Sequence, residues 1–129
     1  MTVKLPATPA VVGVGKPVTL SVLAAAGLIA LEQMPKRLHV DHENAKFLAQ
    51  GLARVPGIKI DPAKVATNIL ICDISGTGMA SAEFSRRLAE KSVLCGSVNN
   101  ELVRFVTHMD VDRAGCERAV ETVLAVCRN

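Results

Sequence analysis

The chain has 129 residues, a length that suits one domain and leaves no room for a second full-sized hydrophobic core. Half of the residues are hydrophobic and 21% are charged, so the chain can bury a core and is not intrinsically disordered. Its net charge of +3 is too small to favour a nucleic acid or an anionic membrane as partner. With three Phe and no Trp or Tyr, a base-stacking RNA surface is also excluded.

The four cysteines indicate a reduced, cytoplasmic protein. They form no CxxC pair, so neither a zinc knuckle nor a thioredoxin-like redox site is predicted for Cys72, Cys95, Cys116 and Cys127. The start of the sequence lacks the features of a signal peptide. The most apolar run, Val18 to Leu31, is about 14 residues long, whereas roughly 20 are needed to cross a bilayer.

The first half of the chain predicts two helices and two strands. Residues 1–18 contain three prolines and predict an extended lead-in, with Pro17 suited to the first turn of a helix. From Thr19 to Met34 the sequence is rich in Ala and Leu and apolar on nearly all sides, which indicates a packed helix ended by Pro35.

The next helix is predicted from Lys36 to Arg54, with Asp41 and Asn44 on its solvent face. Ile58–Ile60 has the alternation of a short strand. Asn68–Ile74 is a near-continuous apolar run, typical of a central strand buried on both faces.

The second half predicts one helix, a hairpin and a final helix. The first of these helices runs from Ser81, its expected N-cap, to Lys91. The rest of the sequence predicts strands at 93–97 and 102–107, followed by a helix at 112–128. The predicted order is ααββαββα. We therefore expect an α+β fold: a small, mostly antiparallel sheet of three or four strands with helices packed on one face.

Five segments resemble the C-terminal part of low-specificity threonine aldolases. They occur in the family's order across residues 19–128, and VRFVTHMDV is the most specific of them. The segments are VLAAAGLIALE (22–32), DHENAKFLAQGLARVPGI (41–58), TNILICDI (67–74), RRLAEKSV (86–93) and VRFVTHMDV (103–111).

The resemblance implies a pyridoxal-phosphate enzyme of fold type I that cleaves L-threonine and related β-hydroxy-α-amino acids to glycine and an aldehyde. Residues 19–129 would be its small domain, which closes over an active site built mainly by a large N-terminal domain. The cofactor's Schiff-base lysine belongs to that large domain and has no identifiable counterpart here. Lys16 lacks the family's Ser-Lys-Gly context, and Val18 stands where an arginine usually reaches the cofactor phosphate. We therefore expect the chain to be inactive alone.

Arg104 is the candidate substrate-binding residue. Strand alternation places it on one face with Leu102 and Val106, and a guanidinium among apolar neighbours favours a carboxylate partner. The resemblance implies that Arg104 binds the amino acid's α-carboxylate. The alternative is an arginine at an exposed strand end that reaches into water.

Other polar motifs are better explained by structure than by chemistry. His108 and Asp110 have the spacing of a general-base pair but suit a strand-ending turn better. His39 and His42 could share a helical face, yet no third metal ligand has a typical spacing. The glycine segments Gly13-Val-Gly15 and Gly76-Thr-Gly78 match no complete phosphate-binding motif.

Cys95 is the thiol to test for reactivity because it lies in a short strand beside a glycine, whereas the other cysteines fall on apolar faces.

A second hypothesis is a non-catalytic α+β binding or self-association module. The very apolar helix at 19–34 would expose an unusually large hydrophobic patch if nothing covered it, which favours a homo-oligomer.

Overall fold

The computed structural model describes residues 17–128 and divides the chain into two compact units, residues 1–36 and 37–129. The predicted lead-in at 1–18 lies almost wholly outside the described residues. The first unit contains helix α1, Pro17–Glu32, which begins with the proline expected there. A 3-10 helix, Met34–Arg37, follows and contains Pro35, so the first α-helix ends two residues earlier than predicted.

The second unit contains three α-helices and three strands. Along the chain these are α2 (Leu38–Leu52), β1 (Ile69–Asp73), α3 (Ser81–Ala89), β2 (Gly96–Ser97), β3 (Leu102–Val106) and α4 (Arg113–Cys127). The predicted α+β class is confirmed, and the order of the elements is ααβαββα.

The three strands form one antiparallel sheet in the order β1-β3-β2. Side chains alternate between its faces, and the inner face, made by Leu70, Cys72, Val103 and Phe105, is buried. The helices of this unit supply the other half of the core, with Leu52, Phe84 and Val123 fully buried. In this unit the helices pack on one face of the sheet, as predicted. No helix of this unit covers the opposite face.

Two strand predictions need correction. The strand expected at Ile58–Ile60 is reduced to a single bridge, in which Lys59 pairs with Asp73. The run at Asn68–Ile74 was expected to be buried on both faces, yet Ile69 and Ile71 are 45% and 52% exposed. A continuous apolar run indicates that both faces favour burial, but no element within residues 37–128 covers the outer face of β1.

Two polar predictions on α2 are wrong as well. Asp41 and Asn44 were expected on the solvent face, but both are buried. Asn44 Nδ2 donates a hydrogen bond to the carbonyl of Val111 at 3.1 Å, and Asp41 pairs with Arg37 at 3.3 Å. These contacts provide partners for the two buried polar side chains. Helical periodicity alone places both residues on the solvent-exposed face.

Ser81 is not an N-cap. The cap position is Ala80, and Ser81 Oγ donates instead to the carbonyl of Asn99 in the hairpin turn. The hydroxyl therefore links α3 to the hairpin, and the predicted strand at 93–97 shortens to Gly96–Ser97.

Among the described residues, no helix is both long and apolar enough to span a membrane.

Candidate functional site: the open face of the sheet

Arg104 lies in the middle of β3, on the outer face of the sheet. Val103 and Phe105 point into the core, and Arg104 is exposed, as the predicted alternation requires. Its cross-strand neighbour on β1 is Ile71. Val106 follows two residues along the same face and is 40% exposed. The cation therefore lies beside partly exposed apolar side chains on an open face.

The guanidinium of Arg104 has no anionic partner within residues 17–128, and no hydrogen bond holds it there. Other arginines of the same unit are paired: Arg86 and Arg87 both contact Glu83, at 2.9 and 2.6 Å. These two pairs hold the pKa of the Glu83 carboxyl at about 2, well below its usual value, chiefly through the hydrogen bond from Arg86. In the described part of the chain the donors of Arg104 are unused, as are those of Arg54, Arg118 and Arg128, and Arg104 differs from these three in lying on a strand of the sheet.

A shallow depression of about 590 Å³ lies on this side of the sheet, lined in part by Ile71, Asp73 and Leu102. The hydrogen bond from Ser75 lowers the pKa of Asp73, so this carboxylate stays charged at the edge of the depression. A deeper cleft, of about 620 Å³, lies between α4 and the segment 91–94, and Arg104 lines neither of these two depressions. The candidate site is therefore an open surface and not an enclosed pocket.

Thr107 anchors the end of the strand that carries Arg104. Its hydroxyl is buried and donates to the carbonyl of Asp41 on α2 at 2.7 Å. Its carbonyl accepts from Asn68 Nδ2 at 2.8 Å, and its amide donates to the Asn68 carbonyl. Sequence reasoning missed this role, although the alternation that places Arg104 outward also places Thr107 inward.

Comparison with known proteins gives a consistent family signal. Over 93 residues, 71% of this chain, the sequence is 33% identical to low-specificity L-threonine aldolase 1 of Arabidopsis thaliana. It is also 33% identical over 92 residues to the low specificity L-threonine aldolase of Escherichia coli K12. The chain is homologous to the C-terminal part of low-specificity threonine aldolases. It spans 26% of the length of each of these two relatives. No protein-family model matches it.

A solved structure of MppP, soaked with the product 2-ketoarginine, shares the fold. The similarity covers 85% of this chain and 31% of MppP, with a TM-score of 0.59 and 17% sequence identity. The aldolase-like chain therefore has the fold of one part of a larger protein, in agreement with the sequence matches.

His108 and Asp110 make a local turn in the aldolase-like chain. His108 Nδ1 accepts from the Asp110 amide at 3.3 Å and lies 3.6 Å from its carboxylate, and both side chains are exposed. This geometry closes the turn after β3, which is the structural interpretation of the motif.

The other histidine and glycine motifs also lack a site. No group of three or more metal-ligating side chains occurs among the residues that the structure describes, so His39 and His42 remain a surface pair on α2. Gly76 packs against the backbone of Gly57, where an added Cβ would lie 2.8 Å from the Gly57 Cα, so its loop is explained by close packing. The Gly13-Val-Gly15 segment and Lys16 lie outside the described residues.

Burial raises the pKa of all four cysteine thiols. Burial raises the pKa of the Cys72 thiol to about 12 and also raises that of Cys95, which contacts Ser85 Oγ at 3.2 Å. The thiolate is the reactive form, so the prediction of a reactive Cys95 gains no support.

The described lysines do not fit a Schiff-base role. Each is exposed, and two of them contact surface carboxylates: Lys59 approaches Asp73 at 4.0 Å and Lys64 approaches Asp61 at 3.7 Å. An aldimine lysine needs a sheltered site with a lowered amine pKa. None of the lysines in residues 17–128 lies in such a sheltered site.

Proposed function

We propose that this chain is the small-domain part of a pyridoxal-phosphate-dependent enzyme of threonine aldolase type, and that Arg104 binds the substrate's α-carboxylate. The observation that carries the proposal is an arginine without a protein anion in the middle of an open, apolar sheet face. The homology to threonine aldolases supports the substrate class, an amino acid with a β-hydroxyl group.

The complete enzyme would cleave a β-hydroxy-α-amino acid such as L-threonine to glycine and an aldehyde. Pyridoxal phosphate, when bound, supplies an electron sink for the bond that breaks at Cα. The cofactor's lysine would come from a part of the enzyme other than residues 17–128, because the described lysines do not fit that role. The chain alone is therefore expected to be inactive.

Arg104 would act by binding and orienting the substrate. Its planar fork matches a carboxylate with two parallel hydrogen bonds, and such charge-assisted pairs are stronger than neutral ones. The apolar neighbours Ile71 and Val106 limit competition from water. Binding of the carboxylate would hold the small amino acid in one orientation and so set the direction of the bonds at Cα. Orientation of this kind contributes to catalysis.

A calorimetric titration tests the carboxylate assignment. Glycine carries the proposed recognition group, and glycinamide lacks its charge, so the chain should bind glycine and not glycinamide. Arg104→Ala should abolish binding, and Arg104→Lys should weaken it by about tenfold because lysine cannot form the bidentate pair. Arg54→Ala, which removes an exposed arginine elsewhere, is the matched control. Equal binding of glycine by the wild type and Arg104→Ala would refute the assignment.

A second candidate function is self-association through helix α1, Pro17–Glu32. Within its own unit this helix leaves Val22, Leu23 and Leu31 exposed. A large apolar patch of this kind favours a partner surface, and a second copy of the chain is the partner we propose. This function is compatible with the first.

We also propose a cytoplasmic location, since all four cysteines are free thiols.

A further inference from the structure

Gly96 is the direct neighbour of Arg104 on strand β2. The register pairs Arg104 with Ile71 on one side and with Gly96 on the other. Directly opposed residues in neighbouring strands project on the same face of a sheet. The arginine therefore has a branched apolar side chain on one flank and bare backbone on the other.

The guanidinium lies over that bare backbone. A Cβ built on Gly96 would be 3.9 Å from Arg104 Nη2 and 4.0 Å from Nε. One methyl group would thus be in ordinary van der Waals contact with the guanidinium. A side chain with further atoms would occupy the place where the guanidinium lies.

Backbone conformation does not require a glycine at this position. Within the described residues the glycines with positive φ are Gly57 and Gly78, so Gly96 has a backbone that other residues can adopt. Glycine weakens a strand, and its presence in one commonly marks a close approach by another group. Here the approaching group is the side chain of Arg104.

No hydrogen bond or ion pair within residues 17–128 fixes the direction of the Arg104 side chain. The direction of this side chain therefore depends on packing against its two neighbours, Ile71 and Gly96. Ile71 restricts the side towards β1, and the missing side chain at Gly96 leaves space towards β2.

We propose that Gly96 is a positioning residue for the carboxylate site: it leaves the space over β2 that holds the Arg104 guanidinium and so sets the direction of its binding fork. This inference rests on the proposed function of Arg104. It also defines a size limit, since alanine at position 96 fits and a β-branched residue displaces the guanidinium.

NMR of the ¹⁵N-labelled chain tests the inference. The Nε–H signal of Arg104, assigned by its loss in Arg104→Lys, should show a nuclear Overhauser effect to the Gly96 Hα protons. The same signal should shift saturably with glycine and not with glycinamide. Gly96→Ala should keep the glycine dissociation constant within about twofold, and Gly96→Val should raise it by about tenfold or more. Ser97→Val, at the next position of β2 and opposite Val103 instead of Arg104, is the matched control and should change it by less than about twofold.

The outcomes separate the two claims. If the wild type shows no glycine-dependent shift of the Arg104 signal, the proposed function fails. If the wild type binds glycine and folded Gly96→Val binds it equally well, the positioning role of Gly96 is overturned while the proposed function survives. An absent Arg104–Gly96 Overhauser effect in the wild type overturns the positioning role even if the valine variant does not fold.

Discussion

Two positions, one on β3 and one just after it, have different parts in the candidate site: Arg104 is the proposed binding residue, and Thr107 supports the strand. Arg104 faces outward with unused donors, and Thr107, three residues later, faces inward with its hydroxyl bonded to the Asp41 carbonyl. The support is non-local, because it joins the end of the sheet to α2. The orientation of Arg104 relative to the helices therefore depends on a buried polar contact as well as on apolar packing.

The Thr107 contact predicts a measurable loss of stability in Thr107→Val. The substitution keeps the shape and removes the hydroxyl, so it should lower the free energy of unfolding by about 1–2 kcal/mol. Urea unfolding followed by circular dichroism measures this. Thr122→Val is the matched control, because the Thr122 hydroxyl donates only to the Arg118 carbonyl of its own helix. Equal losses in the two variants would contradict a special role for Thr107.

At the scale of the elements, the close approach of α2 and α4 depends on a glycine. A Cβ at Gly51 on α2 would overlap the methyl groups of Val120 on α4. Valine has one strongly preferred rotamer in a helix, so Val120 cannot easily turn away. The contact therefore fixes how closely the two helices pack beneath the sheet.

Gly51→Ala is accordingly predicted to destabilise the protein although alanine is the better helix former. The helix gains about 1 kcal/mol from propensity, and overpacking costs about 1–3 kcal/mol, so the expected result is a net loss. Gly27→Ala in α1 meets no atom within 4 Å and should cause no loss. Thermal unfolding of both variants measures the difference. A more stable Gly51→Ala would show that the helices can separate freely.

Sequence periodicity predicts the elements of this chain better than it predicts their surroundings. The alternation in β3 follows from local spacing, and the structure confirms it. The exposure of Ile71 and the burial of Asn44 do not follow, because each depends on which element covers the position. Arg104 is identifiable by its pattern, whereas the space at Gly96 depends on strand register, which no single strand reveals.

At the scale of the whole molecule, the chain matches only the C-terminal part of its relatives. The matched relatives are nearly three times as long, since the 93 residues that align are only 26% of the Arabidopsis protein. An open sheet face with an unpaired arginine is what one side of a shared active site would present. The apolar helix α1 is a separate feature, with consequences for assembly.

Helix α1 predicts self-association of the 129-residue chain. Light scattering coupled to size exclusion should give a mass well above the 13.6 kDa of one chain. A fragment of residues 37–129, which forms its own compact unit, should be monomeric. A monomeric full chain that binds no hydrophobic dye would argue against assembly through α1.

The most direct test of the whole account is threonine cleavage by a fusion in which residues 37–129 replace the matching segment of the E. coli relative. The account predicts an active, pyridoxal-phosphate-loaded enzyme in which Arg104→Lys lowers kcat/KM for L-threonine by about tenfold or more, while Arg54→Lys has little effect. An active fusion whose kcat/KM is the same with lysine and with arginine at position 104 would contradict it.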